Sequence, residues 1–255
     1  TGPSRRGFLG GAGVAAMGAM VGGSIPFSQN MPAGLAPAAL AQATPAEKKG
    51  PQYLEFPGKD KGLVVIGDRP LVAETPEHLL DDDTTPTSKF YIRNNGNPPE
   101  MPANPDAWKL TIDGEVNKPL EITLGDLKKK YRPQTLRMVL ECGGNGRSFF
   151  SPPTSGNQWT NGGAGCAEWT GVSLADVLRT AGVKPSGIYT ANYGADVHLS
   201  GDPKRVTLSR GVRIAKAMEP QSLLVWAMNG KPLESVHGAP LRLVIPGWAG
   251  SASHK

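Results

Sequence analysis

Cysteine is nearly absent from this chain: its 255 residues include two, Cys142 and Cys166, and one pair cannot form the disulfide scaffold on which small secreted domains rely. Histidine is almost as scarce, and His78, His198, His237 and His254 include no closely spaced pair. A zinc site built only from protein ligands is therefore poorly supported. Strong charge of one sign is also missing. The formal excess is +5, two of it from Arg5 and Arg6 near the start, and the dispersed remainder argues against a nucleic-acid partner while suiting a small anion or an acidic protein. The apolar run after Arg6 is glycine-rich and shorter than the roughly 18 to 20 residues a membrane span needs. No dinucleotide fingerprint, phosphate loop, haem-attachment motif or internal repeat occurs.

Glycine and proline are abundant, at 33 and 24 residues, which predicts many turns in a chain long enough to bury a sizeable core. Ser4-Arg5-Arg6-Gly7-Phe8-Leu9 has the twin-arginine form, and Ala41-Gln42-Ala43 closes it as a small-residue cleavage site. Residues 1–43 are thus expected to be an export signal addressed to the bacterial periplasm, leaving no spanning segment after cleavage. Residues 44–88 read as an extended, proline-rich arm, and residues 89–255 as the globular domain.

Within that domain, strands are predicted at Phe90–Ile92, Trp108–Ile112, Leu120–Thr123, Leu136–Leu140, Ile188–Tyr193, Val206–Leu208, Leu223–Met228 and Leu241–Ile245. Thr123 and Asp126 resemble a capping box opening a short helix. Ser173 is expected to cap a helix over Leu174–Ala181 that Gly182 closes. Residues 149–170 read as one long irregular loop of functional interest. The fold class is α+β, richer in strand than in helix.

Three groups of residues carry chemistry. A strand delivers Cys142 into Gly143-Gly144-Asn145-Gly146, a setting where a thiolate can meet a bulky metal-bearing group, because glycines remove obstructing side chains. A buried structural cysteine, or a bridge to Cys166, satisfies the same residues. Arg93, followed by Asn94 and Asn95 rather than by acids, can bind an oxyanion bidentately or form a surface ion pair. His237, Arg242, Ser253, His254 and Lys255 around a buried strand can hold a phosphate or lie on a solvated loop.

Taken together and in order, Tyr91–Gly96, Glu141–Ser148, Gly194–Asp196, Ala217–Pro220, Met228–Gly230 and His237–Lys255 resemble the molybdenum-cofactor domain of the sulfite oxidase family, most nearly a bacterial periplasmic sulfite dehydrogenase. The resemblance implies a molybdenum-molybdopterin cofactor with Cys142 as the protein thiolate on the metal. It implies that Arg93 binds sulfite, and that Arg93, Asn94, Asn95, Asp196, His237, Arg242, Ser253, His254 and Lys255 contact the cofactor. Sulfite would leave as sulfate, with electrons passing singly to a periplasmic c-type cytochrome. The family's active-site tyrosine, expected some dozen residues before Pro220, falls near Leu208 in an ungapped alignment, and Asn95 stands where many members have histidine. The family's C-terminal dimerisation domain is expected to be missing from this chain, which leaves a homodimer as an expectation for the full-length protein. Within the same fold, a methionine-sulfoxide reductase or a sulfane dehydrogenase subunit is an alternative; outside it, a non-catalytic periplasmic binding module is.

Overall fold

The computed structural model describes residues 50–255, so the expected export signal and its expected cleavage site lie outside the described residues. Pro51–Lys255 forms one compact unit. In chain order it contains β1 (Val64–Asp68), β2 (Leu71–Glu74), β3 (Ile92–Arg93), β4 (Lys109–Ile112), β5 (Leu120–Thr123), α1 (Leu124–Lys130), β6 (Gln134–Glu141), β7 (Ala164–Ser173), α2 (Leu174–Ala181), β8 (Tyr189–Tyr193), β9 (Ser209–Arg213), α3 (Ile214–Ala217), β10 (Leu223–Met228), β11 (Lys231–Pro232) and β12 (Arg242–Val244). The strand-rich α+β class read from the sequence is the class observed.

The central element is a five-stranded antiparallel sheet ordered β11-β10-β7-β6, with β12 also paired to β10. Its period-2 alternation sends side chains into two cores. On one face Val172, Leu224 and Leu243 pack with Leu127 of α1 and with Leu174, Val177 and Leu178 of α2. On the other, Leu140, Trp169, Leu223 and Val225 pack with Phe90, Tyr91 and Trp159. Burying one such aliphatic side chain contributes about 1.5–3 kcal/mol, so the sheet is held firmly on both sides. Along β6 the odd residues face outward, and Val139 is 60% exposed.

Local signals explain the short helices. The Thr123 hydroxyl accepts from the Asp126 amide at 3.1 Å, completing the expected cap of α1. Gly182 closes α2 in the left-handed conformation at φ 69°, which glycine adopts without a Cβ clash. Ser173 differs from expectation: its side chain makes no cap bond and its buried Oγ has no protein partner, because the start of α2 abuts β10 and the Leu174 amide donates to the Ser222 carbonyl at 2.8 Å.

Three boundaries also differ. Residues 51–88, expected as an extended arm, belong to the same compact unit as the rest of the domain: β1 and β2 form a hairpin whose second strand pairs with β3, setting Val72 opposite Arg93. The irregular loop ends at Gly163 rather than 170, since β7 pairs with β6 from Ala164 onward. The segment Val206–Leu208 precedes the strand, which is β9 at Ser209–Arg213. Both cysteines are free, so the structure contains no Cys142–Cys166 bridge. Among the described residues no helix is long and apolar enough to cross a membrane.

Candidate active site

Where β6 runs out, its ladder is extended by a bond from the Cys142 amide to the Gly163 carbonyl at 2.8 Å. The following turn is closed by the Asn145 amide donating to the Cys142 carbonyl at 2.9 Å, while the Asn145 side chain accepts from the Gly163 amide at 2.9 Å. Cys142 is thereby pinned from both directions, with its Sγ meeting only a long contact from the Gly144 amide at 3.5 Å. It opens into a cavity of about 300 Å³.

Nine of the ten site residues read from the sequence line that cavity: Arg93, Asn95, Cys142, Asp196, His237, Arg242, Ser253, His254 and Lys255. Asn94 does not. Its side chain is buried, donates to the Leu71 carbonyl at 3.0 Å and accepts from Lys255 Nζ, so it braces a cation instead of facing the cavity. The reason is the period of two along β3: with Arg93 turned toward the cavity, its neighbour must turn away. Residues of the wall that the sequence did not single out include Arg147, Trp159, Thr207 and Arg210. Arg147 was legible as the basic residue ending the glycine loop; the others depend on pairings remote in sequence.

The wall is rich in cations relative to anions. Arg242, fully enclosed, donates to the His237 carbonyl at 2.9 Å and the Ser253 carbonyl at 3.2 Å and lies over the Trp169 ring at 5.5 Å. Burial pushes the Lys255 ammonium down to about 7, with Arg242 and Arg93 adding repulsion and Asp196 opposing it. Burial raises the Asp196 carboxyl, against the pull of Lys255 and Arg242. His237 is held well below the ordinary histidine range by burial and by surrounding cations. Burial likewise lowers His254, whose Nε2 lies 3.1 Å from the Leu208 carbonyl.

Two buried nitrogen atoms of this wall, Arg242 Nε and His254 Nδ1, have no protein partner. Such orphans are costly unless a ligand or water satisfies them. Clearance is also built in: a Cβ on Gly194 would lie 2.1 Å from the Lys255 carbonyl, and one on Gly250 would lie 2.8 Å from the Glu141 carbonyl. Only glycine lets these backbones close around the cavity. One cavity thus brings together a thiol, several cations, unpaired nitrogens and the apolar Phe90, Leu140 and Trp159, a lining that suits a ligand with both soft and anionic groups.

The comparison with known proteins decides what that ligand is. The family model described as the oxidoreductase molybdopterin binding domain matches residues 96–255. The chain belongs to this family. Within it the chain is similar to mitochondrial sulfite oxidase of Rattus norvegicus, 33% identical over 215 residues that cover 81% of this chain and 38% of the relative. It is equally similar to NADPH nitrate reductase of Aspergillus niger, 33% identical over 82% of this chain and 24% of the relative. Among solved structures, the sulfane dehydrogenase SoxCD from Paracoccus pantotrophus superposes with a TM-score of 0.62 at 30% identity, over 80% of this chain and 48% of that one. The chain spans less than half the length of each of these proteins. It is a molybdopterin-binding oxidoreductase domain of the sulfite oxidase type.

The cavity's residues fit that cofactor. With the cofactor bound there, the Cys142 thiol would be the candidate metal ligand, and Arg242, His254 and Lys255 would be the candidate donors to the pterin and its phosphate.

Proposed function

We propose that this domain is the catalytic part of a periplasmic sulfite dehydrogenase, oxidising sulfite to sulfate and passing electrons to a c-type cytochrome. The observation that carries the reading is the meeting of the Cys142 thiol and the Arg93 guanidinium on one cavity wall, although 49 positions separate them in the chain. When bound, molybdopterin holds molybdenum through its sulfurs and supplies the two-electron chemistry.

The chain's own residues do the rest. Arg93 is kept in place by the β2–β3 pairing and by donating to the Asn94 carbonyl, so its positive charge is fixed before the anion arrives. A sulfite oxygen about 4 Å from that charge gains roughly 4 kcal/mol at an effective dielectric near 20, before desolvation. Phe90, Leu140 and Trp159 keep that part of the wall apolar, which strengthens the attraction. The full-length protein loaded with molybdenum should reduce cytochrome c when given sulfite, and Cys142→Ser should abolish this. Loading without any sulfite-dependent reduction refutes the reading.

Sulfane oxidation is the second reading, and two observations favour it. One is the likeness to a sulfane dehydrogenase; the other is Leu208, which puts an alkyl group on the cavity wall where the sequence resemblance calls for a phenol. An alkyl wall suits a sulfane sulfur carried on a thiol better than it suits a small dianion. Turnover of a persulfide-bearing thiol in preference to sulfite would install this reading, and reduction of methionine sulfoxide alone would displace both.

A further inference from the structure

Lys59 lies just before β1, outside the segment matched by the family model, yet its ammonium reaches His237 of the cavity wall. Its side chain is 0% exposed. It has three neighbours, all acceptors by necessity: the Thr87 carbonyl at 2.7 Å, the Glu234 carboxylate at 2.6 Å and His237 Nε2 at 2.7 Å. An ammonium has three protons and no lone pair. The Thr87 carbonyl and Nε2 each take a proton in a hydrogen bond, the Glu234 carboxylate being held as an ion pair whose Oε2 has no hydrogen-bonded partner, and a ring nitrogen that accepts cannot also carry a hydrogen.

We propose that Lys59 is a positioning residue for the cofactor cavity: through its bond to Nε2 it holds His237 as the neutral tautomer with the ring proton on Nδ1. The alternatives fit the observed distances less well. A hydrogen on Nε2 would face the ammonium at 2.7 Å, and turning the ring over would set Cε1, which accepts no hydrogen bond, in place of Nε2 against it. Glu234 cannot take over, being 3.8 Å from Nε2. The ring is further caught edge-on against Phe90, with centroids 5.5 Å apart, and its own carbonyl anchors Arg242. Imidazole and guanidinium are thus oriented as one unit, and the lysine that orients them comes from 178 positions away.

What the Nδ1 hydrogen serves rests on the molybdopterin reading: it makes His237 a neutral donor in a wall whose charged groups are mainly cationic. Three measurements test the proposal in the full-length, cofactor-loaded protein. Long-range proton–nitrogen correlation spectra, with His237 assigned by its loss in His237→Gln, should show the Nδ1–H form; an Nε2–H form or an imidazolium at pH 7.5 overturns the proposal whatever the variants do. In Lys59→Met the His237 signals should move toward the other tautomer, and unchanged signals in a folded variant overturn it too. Pterin content per chain, read by fluorescence after oxidation, should fall about tenfold in Lys59→Met, but no further when Lys59→Met is added to His237→Gln. Additive losses would mean that Lys59 acts without His237. Absence of pterin from the unaltered protein would refute the cofactor reading alone, because the tautomer is measured independently.

Discussion

Removing the carboxylate beneath the cavity by Glu234→Gln tests whether the buried lysine depends on a counter-charge. The wild-type pair is 2.6 Å apart, with the Lys59 side chain 0% and the Glu234 side chain 38% exposed. Burial lowers the Lys59 ammonium below its ordinary value, and Glu234 raises it in opposition. At an effective dielectric near 20 the attraction at this distance is roughly 6 kcal/mol, and the exposure of Glu234 reduces this to about 2 kcal/mol. Gln keeps an acceptor but not the charge, so Lys59 becomes easier to deprotonate. With a folded-state value below the unfolded one, the folded protein binds fewer protons across the intervening window, and stability rises with pH there by up to about 1.4 kcal/mol per unit. Denaturant titrations of the cofactor-free protein between pH 6 and 10 should show Glu234→Gln destabilised by about 2 kcal/mol near pH 6. The loss should shrink as pH approaches the lysine's unfolded value. A pH-independent loss, or none, would refute the reasoning, and Lys59→Met with Glu234→Gln should abolish the slope.

Other consequences are simpler to read. Cys142→Ser should leave the cofactor-free protein within about 1 kcal/mol of wild type while removing the thiolate signature from the metal's absorption spectrum. Arg93→Gln should raise the KM for sulfite more than it lowers kcat, about 100-fold in kcat/KM if one charge-assisted contact is lost. Leu208→Tyr places a phenol on the cavity wall and should shift preference toward sulfite, measured as the ratio of kcat/KM for sulfite to that for a persulfide. Thr123→Ala removes the cap bond of α1, should cost about 1 kcal/mol in a denaturant melt and should leave turnover unchanged.

Much of this was legible locally. The apolar spacing of Leu174, Val177, Leu178 and Ala181 defines α2, and the alternation through Leu136, Met138 and Leu140 defines β6, because one buried face repeats with the period of its element. The strand start at Ala164 was hidden by small residues: Gly165 has no side chain to report a face, and its bareness admits the Phe90 ring, 2.6 Å from where a Cβ would sit. The hairpin of β1 and β2 was obscured by the proline-rich, polar surroundings, since its pleat depends on pairing with β3 rather than on propensity. The site showed the same division. Cys142 and Arg93 announce themselves through their neighbours, whereas Asn94 reads as a ligand contact until the strand period turns it toward Lys255. Lys59 looked like one lysine among many because its partners are remote in sequence.

The cavity joins residues from both ends of the described chain: Lys59 meets His237, and Asn94 meets Lys255 across 161 positions. Contacts of such span form late, because a long loop must close before they are rewarded. While the ribosome is still making the last strand, the early hairpin has no wall to complete and Arg93 has no Cys142–Arg242 cavity to face. Cofactor capture therefore belongs after synthesis of Lys255, and a nascent chain stalled before β12 should bind no pterin however well its first strands have formed.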